Sequence, residues 1–408
     1  MSGPDMITLG CRLNSAESEA MRQLAGAQDD LIIVNSCAVT NEAVRRTRQA
    51  IRKAKRARPD ARVVVTGCAA QVEPEMFAAM PEVARVVGNR EKFDLGALLA
   101  PERVRVSNIM SVRETAPHLV TGFSERSRAF VEVQNGCDHR CTFCIIPYGR
   151  GNSRSVPAGL VVERVKALAG EGFKEVVLTG VDVTSYGPDL PGSPTLGLLI
   201  ERILRHAPEL ARLRLSSLDC IEIDERLEEI IAHEPRFMPH LHMSFQAGDD
   251  MVLKRMKRRH SRAQAVETVQ RLKAKRPDLA IGADLIAGFP TESEEMHENS
   301  VKLIDECDIV MGHIFPFSPK LGTPAARMPQ VPPPVVKERA RRLREATAKR
   351  RAMWLQGLVG TRQRVLVEKH RLGHAENFAP VLITGDGSDV VEVTVTSVDG
   401  DRLIGVPA

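Results

Sequence analysis

Three cysteines close together in the middle of the chain place the strongest constraint on what it can become. Cys137, Cys141 and Cys144 stand at C-x3-C-x2-C spacing, directly after an apolar run at residues 129–133. Three thiolates so spaced can hold three corners of a cubic iron–sulfur cluster, whereas the usual protein cluster takes four cysteines. One iron is then open to another molecule, as one position is in catalytic metal sites. Zinc is the alternative, but zinc motifs usually repeat a C-x2-C pair, and no second local pair exists here.

Three further cysteines, Cys11, Cys37 and Cys68, each follow a short apolar run typical of a buried parallel strand. The runs lie at residues 7–9, 31–34 and 62–65, with helical patterns at 15–27 and 41–58 between them. Because the carboxyl ends of parallel strands share one edge of a sheet, we expect the three thiols to converge as a second ligand set. The alternative is three unrelated turn cysteines. Asn14, with Glu17 three residues later, predicts a capping box for the first helix.

Beyond residue 126 the pattern predicts a second and a third domain. Strand-like runs lie at residues 129–133, 175–179, 212–216, 240–245, 281–286 and 309–315. Helical patterns lie at residues 160–169, 196–206, 262–275 and 294–306. This β/α alternation indicates a parallel sheet, open or closed into a barrel, with its function at the carboxyl ends of the strands. Prolines 332–334 mark a break before a basic helix at 337–355, and alternating residues in the last stretch predict a small β-barrel at 360–408.

The predicted fold class is therefore α/β with a small all-β domain at the end. We place an N-terminal parallel-sheet domain at residues 1–110, a central β/α domain at 126–345 and the small β-barrel at 355–408, with a linker at 107–127. The chain has 408 residues, of which 43% are hydrophobic and 27% are charged, as in ordinary globular proteins. It shows neither a signal peptide nor a long apolar segment, so we expect a cytoplasmic protein without a membrane partner.

Basic residues cluster at 45–58, 254–260 and 337–351, although the net charge is only +5. A single run of this kind is usually a solvated helix face. Three runs favour a polyanionic partner such as a nucleic acid, since lysine and arginine neutralise phosphates. The isolated Cys220 and Cys307 are predicted to be small core residues. Phe378 is the one aromatic residue of the last domain, which leaves little for base stacking there.

The cysteine loop resembles the radical S-adenosylmethionine (SAM) enzymes, and motifs along essentially the whole chain resemble their methylthiotransferases. The motifs are residues 8–14 (TLGCRLN), 34–37 (VNSC), 66–68 (TGC), 135–137 (NGC), 147–151 (PYGRG), 178–182 (LTGVD), 214–217 (RLSS), 240–242 (HLH), 246–248 (QAG), 287–292 (AGFPTE) and 317–319 (FSP). The resemblance implies a partial β/α barrel in the middle of the chain and an RNA-binding β-barrel of the TRAM type at its end.

The resemblance also implies two 4Fe-4S clusters. Cys137, Cys141 and Cys144 would bind the cluster whose open iron chelates SAM, and an electron from it would cleave SAM to methionine and a 5'-deoxyadenosyl radical. Cys11, Cys37 and Cys68 would hold the auxiliary cluster that presents the sulfur, and a second SAM would supply the methyl group. The SAM pocket would include five residues at predicted strand ends: Gly180, Asp182, Ser216, Gln246 and Gly288. An electron donor such as flavodoxin or ferredoxin is implied, while no sulfur donor is indicated. For His139 and His242, structural roles are favoured over proton transfer.

Residues 10–14 with Glu17, and residues 373–378 (GHAENF), resemble the branch that acts on tRNA carrying N6-threonylcarbamoyladenosine at position 37 of the anticodon loop. The isopentenyl-adenosine branch usually has Gln-Met in place of Arg12-Leu13, and the branch acting on a ribosomal protein has a more acidic last domain. These two substrates remain alternatives within the same chemistry. A non-catalytic iron–sulfur RNA-binding protein is the alternative from another class.

Overall fold

The computed structural model describes residues 3–113, 127–385 and 389–408. Its N-terminal domain is a five-stranded sheet in which neighbouring strands are parallel and follow one another in chain order. The strands are β1 (Asp5–Thr8), β2 (Leu31–Ser36), β3 (Arg62–Gly67), β4 (Arg85–Val87) and β5 (Val104–Arg105). The helices are α1 (Arg12–Leu24), α2 (Asn41–Ala57), α3 (Cys68–Val72), α4 (Pro74–Ala78) and α5 (Leu95–Leu99), and 3-10 turns occupy Glu91–Phe93 and Ile109–Ser111.

Both faces of this sheet are covered by helices. On one face, alternate residues of β2 and β3 pack against Ile51 of α2. On the other, the residues between them pack against Met21 of α1 and Leu98 of α5. Two covered faces require apolar residues at every strand position, which is why β2 and β3 are continuous apolar runs in the sequence.

The central domain is a curved parallel sheet flanked by helices. Its strands are β6 (Arg128–Glu132), β7 (Gln134–Asn135), β8 (Arg154–Ser155), β9 (Glu175–Thr179), β10 (Arg212–Leu215), β11 (Ser217–Leu218), β12 (His240–Gln246), β13 (Ala280–Ala287) and β14 (Ile309–Pro316). Its helices are α6 (Ile146–Arg150), α7 (Ala158–Gly170), α8 (Leu196–His206), α9 (Glu225–His233), α10 (Asp250–Met256), α11 (Arg262–Lys275) and α12 (Glu294–Glu306), with 3-10 turns at Val183–Ser185, Cys220–Glu222 and Pro324–Arg327. The spatial order β6, β9, β10 continues past Ser216 into β11, β12, β13, β14, which makes a partial barrel.

The two faces of this sheet differ in character. One face packs against the helices with apolar side chains such as Val176, Leu213 and Met243. The alternate residues form the inner face of the partial barrel, and many are charged or polar, including Glu175, Arg214 and the other residues described below. The strands of this domain therefore alternate with period two, unlike those of the N-terminal sheet.

A long helix, α13 (Pro333–Gly357), crosses β14 and leads into the C-terminal barrel. Five strands close that barrel in the order β15-β16-β17-β19-β18. They are β15 (Arg362–Lys369), β16 (Leu372–Ala375), β17 (Pro380–Ile383), β18 (Val390–Asp399) and β19 (Arg402–Pro407). Leu355, on the last turn of α13, is buried among the apolar residues inside the barrel.

The predicted fold class is confirmed, and several elements have the predicted bounds, such as β9, α8, α11 and α12. The capping box was wrong: α1 begins at Arg12 after Cys11, and no side chain caps it. The basic helix begins earlier than the predicted Lys337, because Pro333 and Pro334 form the first turn of α13, where no N–H is required of them. Part of the predicted linker, residues 114–126, lies outside the described residues. Among those described, no helix is long and apolar enough to cross a bilayer.

Replacing Leu355 with alanine should destabilise the C-terminal barrel by about 2–5 kcal/mol, because a cavity would open at the junction with α13. Trp354, the one tryptophan of the chain, packs against the same core, so its fluorescence reports barrel unfolding in denaturant. Met353→Ala is the matched control, since Met353 is 55% exposed on the same helix. Equal midpoints for the two variants would contradict this packing.

Candidate cluster sites and barrel interior

The first cysteine trio converges at the carboxyl edge of the N-terminal sheet, as predicted. Cys11 directly precedes α1, Cys37 follows β2, and Cys68 begins α3 directly after β3. Gly10 has φ 108°, and a Cβ added to it would lie 3.2 Å from the Cys37 sulfur, so only glycine fits there. Burial, with the neighbouring Cys68 and Cys11 thiols, raises the pKa of Cys37 to about 11.

The second trio lies on the loop between β7 and α6. The Cys137 amide donates to the Gly151 carbonyl at 3.1 Å, and the Thr142 amide donates to the Met256 carbonyl at 3.1 Å. Phe143 packs edge-on against Phe289, with ring centroids 6.4 Å apart. Burial raises the pKa of Cys144 to about 12, and the Cys141 and Cys68 thiols add to that rise. The two trios therefore face one another.

Arg150, at the end of α6, connects the central domain to the first trio. Its guanidinium is buried and donates to the Cys68 sulfur at 3.2 Å and to the Glu17 carboxylate at 2.9 Å. It also donates to the Asn14 side-chain oxygen. Lys92 pairs with the same Glu17 oxygen at 2.7 Å and donates to the Asn89 oxygen at 2.8 Å. Glu17 and Asn14 therefore serve the domain interface instead of the predicted helix cap.

A second arginine lies beside the other trio. Arg258 points one nitrogen at the Cys141 sulfur, 3.9 Å away, and pairs with the buried Asp219 at 2.8 Å. On the opposite side the Cys137 thiol lies 3.6 Å from an Asp182 oxygen, which His139 approaches to 3.4 Å. Burial lowers the pKa of His139. Each trio thus has one guanidinium directed at a sulfur.

Of the five predicted SAM-pocket residues, Asp182 lies beside the second trio. Ser216 separates β10 from β11, and its buried hydroxyl has no hydrogen-bond partner among the described residues. Gln246 ends β12 with φ 71°. Gly180 and Gly288 have packing reasons of their own, because an added Cβ would meet the Gln134 carbonyl and the Val336 side chain. SAM contacts by these residues stay a prediction.

The spacing of the thiols bears on the kind of metal site. A tetrahedral zinc ion with Zn–S bonds of about 2.3 Å needs its sulfurs about 3.8 Å apart. Among the described residues, which include all six cysteines, neither trio has its three sulfurs within 4.8 Å of one another. The three sulfurs of a trio are therefore not spaced for one zinc ion, and three cysteines are the ligand number that leaves one iron of a cluster open.

The inner face of the partial barrel holds a group of buried charges at the start of its strands. Glu175 pairs with Arg128 and Arg214, each at 2.9 Å. Phe378, from the C-terminal barrel, lies against this group, and its ring stacks with His240 and with His374 at centroid distances of 4.9 and 4.5 Å. Phe378 is thus engaged in ring contacts within the protein, which disfavours it as an open platform for an RNA base.

Further along the inner face, His242 and His313 approach the same Asp284 oxygen at 2.9 and 3.2 Å. Sequence reasoning missed this group, as it missed Arg150, Arg258 and the charges around Glu175. The available signal was the polar–apolar alternation of β6, β10 and β12, since a sheet covered on both faces by apolar groups would show continuous apolar runs.

Two family models match this architecture. That of the Radical SAM superfamily covers residues 131–304, and that of Uncharacterized protein family UPF0004 covers residues 5–88. The fold is similar to the radical S-adenosylmethionine methyltransferase TsrM from Kitasatospora setae, with a TM-score of 0.52 and 17% identity over 77% of this chain and 67% of that one. The partial barrel with its cysteine loop thus defines a radical SAM protein.

Similar proteins of known name identify the family within the radical SAM class. A Rickettsia prowazekii protein named threonylcarbamoyladenosine tRNA methylthiotransferase MtaB is 53% identical over 92% of this chain and 90% of its own length. An Aquifex aeolicus protein of the same name is 39% identical over 92% and 95%. An Erythrobacter litoralis protein named tRNA-2-methylthio-N(6)-dimethylallyladenosine synthase is 31% identical over 98% and 95%. The chain belongs to the radical SAM methylthiotransferase family, in the branch of the relatives named for threonylcarbamoyladenosine.

Glu17→Gln should destabilise the protein by about 3–5 kcal/mol, because Arg150 and Lys92 would be left as buried charges without a carboxylate. The measurement is denaturant unfolding followed by circular dichroism. Glu19→Gln, which removes a partly exposed partner of Arg22 on the same helix, is the control and should cost less than about 1 kcal/mol.

The destabilisation should also depend on pH. Burial by itself raises the pKa of Glu17, but the charges of Arg150 and Lys92 outweigh burial and hold it at about 2, below the ordinary 4.5. A carboxyl group whose folded pKa is lowered stabilises the fold above its unfolded pKa and loses that effect as pH falls. The advantage of wild type over Glu17→Gln should therefore shrink between pH 4.5 and about 2. A constant difference over this range would contradict the ion pair.

Proposed function

We propose that this protein is a tRNA methylthiotransferase that converts N6-threonylcarbamoyladenosine at position 37 of the anticodon loop to its 2-methylthio form. The observation that carries the proposal is a pair of neighbouring cysteine trios, with Arg150 of the central domain bonded to Cys68, within a chain whose relatives bear that activity in their names. One trio alone would suit many radical SAM enzymes. A second trio opposite it suits a reaction that must also deliver sulfur.

Cys137, Cys141 and Cys144 would hold one 4Fe-4S cluster, and Cys11, Cys37 and Cys68 a second. When bound, these clusters and SAM supply the radical and sulfur chemistry that amino-acid side chains lack. The chain's own residues would position them: Arg258 and Arg150 direct N–H groups at a sulfur of each trio, and hydrogen bonds to cluster sulfurs tune reduction potentials. The unpartnered hydroxyl of Ser216 supports a role in SAM binding.

The basic runs on α2 and α13 differ in how many of their charges are free to bind RNA. On α13, Arg341 and Arg342 pair with glutamates, and Arg350 pairs with Asp308. On α2, by contrast, Lys53 and Arg56 are exposed and have no carboxylate partner among the described residues. Phosphate contacts position a nucleic acid without selecting its bases. We therefore assign tRNA backbone contacts to α2 and base selection to the barrel interior.

Cys141→Ala should abolish the reductive cleavage of SAM, because only two thiolates of the second trio would remain to hold its cluster. Cys11→Ala should spare that cleavage and stop methylthiolation. The measurement is anaerobic reconstitution with dithionite and SAM, with 5'-deoxyadenosine and 2-methylthio nucleosides quantified by mass spectrometry, and with iron and sulfide determined per chain. Cys307→Ala, which replaces a buried cysteine outside both trios, is the control and should retain both activities.

Full methylthiolation by Cys11→Ala would overturn the role of the first trio. If wild type produced no 5'-deoxyadenosine, a non-catalytic iron–sulfur RNA-binding protein would be the better description. In cells, the proposed substrate would be contradicted if tRNA from a deletion strain kept its full content of 2-methylthio-threonylcarbamoyladenosine. The strain must lack any second enzyme that makes this nucleoside. Loss of the 2-methylthio-isopentenyl nucleoside, or of a ribosomal-protein modification, would instead identify one of the alternative substrates.

A further inference from the structure

Arg12 is the residue in the barrel interior that the function described so far leaves unexplained. It follows Cys11 and begins α1, and its guanidinium extends to within 5.6 Å of the centre of the Phe378 ring. It is mostly buried, yet it makes no hydrogen bond or ion pair with any of the described residues. A desolvated cation without a partner is costly, so sites of this kind are typical of places where a ligand supplies the opposite charge.

The neighbouring charges do not satisfy Arg12. The Phe378 ring also lies 5.1 Å from the Arg128 guanidinium and 5.0 Å from that of Arg214. Of the nearby carboxylates, Glu175 already pairs with Arg128 and Arg214, and Glu368 pairs with Arg128 and His374. Arg12 therefore adds an uncompensated positive charge to a group of arginines whose carboxylates are already in use. Such a place attracts an anion.

The position of Arg12 in the chain indicates which anion. Arg12 directly follows Cys11 of the first trio, and its guanidinium lies beside the Phe378 ring, near the buried charges of the inner face. N6 and C2 flank N1 on one edge of adenine, so a substituent on N6 comes near any group placed beside the site that acts on C2. The threonylcarbamoyl substituent ends in a free carboxylate, which guanidinium groups bind with two parallel N–H donors.

We propose that Arg12 binds the carboxylate of the threonylcarbamoyl group and thereby selects the modified adenosine as substrate. This inference rests on the proposed function for the identity of the base. Arg128 and Arg214 are fixed by their ion pairs with Glu175 and add positive charge around the site. Arg12 makes the direct contact with the carboxylate. Specificity then comes from a charge that the apolar isopentenyl group cannot neutralise.

The test compares the binding of two synthetic anticodon stem-loop RNAs, one carrying the free acid of N6-threonylcarbamoyladenosine and the other its methyl ester. Dissociation constants are measured at one fixed salt concentration, because phosphate contacts make affinity salt-dependent. Wild type should bind the free acid about 10- to 100-fold more tightly, the range for a hydrogen bond to a charged group. Arg12→Gln should bind both RNAs alike, and Arg12→Lys should keep part of the preference.

Arg22→Gln is the matched control, since Arg22 lies in the last turn of the same helix and should leave the preference intact. Iron and sulfide per chain are determined for every variant, so that affinities are compared at equal cluster content. Equal weakening of both RNAs in Arg12→Gln would mean a phosphate contact and would overturn the proposal, as would a wild type with no preference for the free acid. If wild type prefers the free acid but never methylthiolates it, the proposed function fails while the carboxylate site stands.

Discussion

The buried guanidinium of Arg150 is the contact on which the arrangement of this protein depends. It comes from the cysteine loop of the central domain, and its main partner, Glu17, lies 133 residues earlier in the chain. Glu17 also pairs with Lys92 of its own domain, so it is the buried charge of Arg150 that is satisfied only when the two domains are docked. Separating the domains would leave unpaired charges or require their rehydration. The same guanidinium donates to Cys68, and therefore the force that docks the domains also sets the two cysteine trios face to face.

The C-terminal barrel is held to the central domain by the same kind of chemistry. Arg212 donates to the Arg364 carbonyl at 2.8 Å, and Arg214 donates to the carbonyls of Ala375 and Glu376 at 3.0 and 2.8 Å. These arginines are fully buried and belong to the inner face of the partial barrel. The C-terminal barrel thus helps to enclose the interior of the central partial barrel. Phe378 contributes to that interior instead of to an exposed RNA surface.

Much of the candidate site could be predicted, because the placement of the cysteines depends on short segments of the sequence. A cysteine two or three residues after an apolar run must lie near the carboxyl end of a strand, and parallel strands bring such ends together. The same local reasoning failed for Asn14 and Glu17, where a spacing of three residues suits both a helix cap and two ligands on one helix face. The partner that decides between these roles, Arg150, is far away in sequence, so no local pattern could have decided it.

The sequence by itself determined the order and type of the elements, the positions of the six cysteines at strand ends and loop, and the family, because periodicity and motif spacing are properties of short segments. Only the tertiary structure decided which charges meet. It paired Arg150 with Glu17, stacked Phe378 with two histidines, and left Arg12, next to Cys11, without a hydrogen-bond or ion-pair partner among the described residues. Electrostatic energies depend on distance and burial, and both are set by the docking of domains.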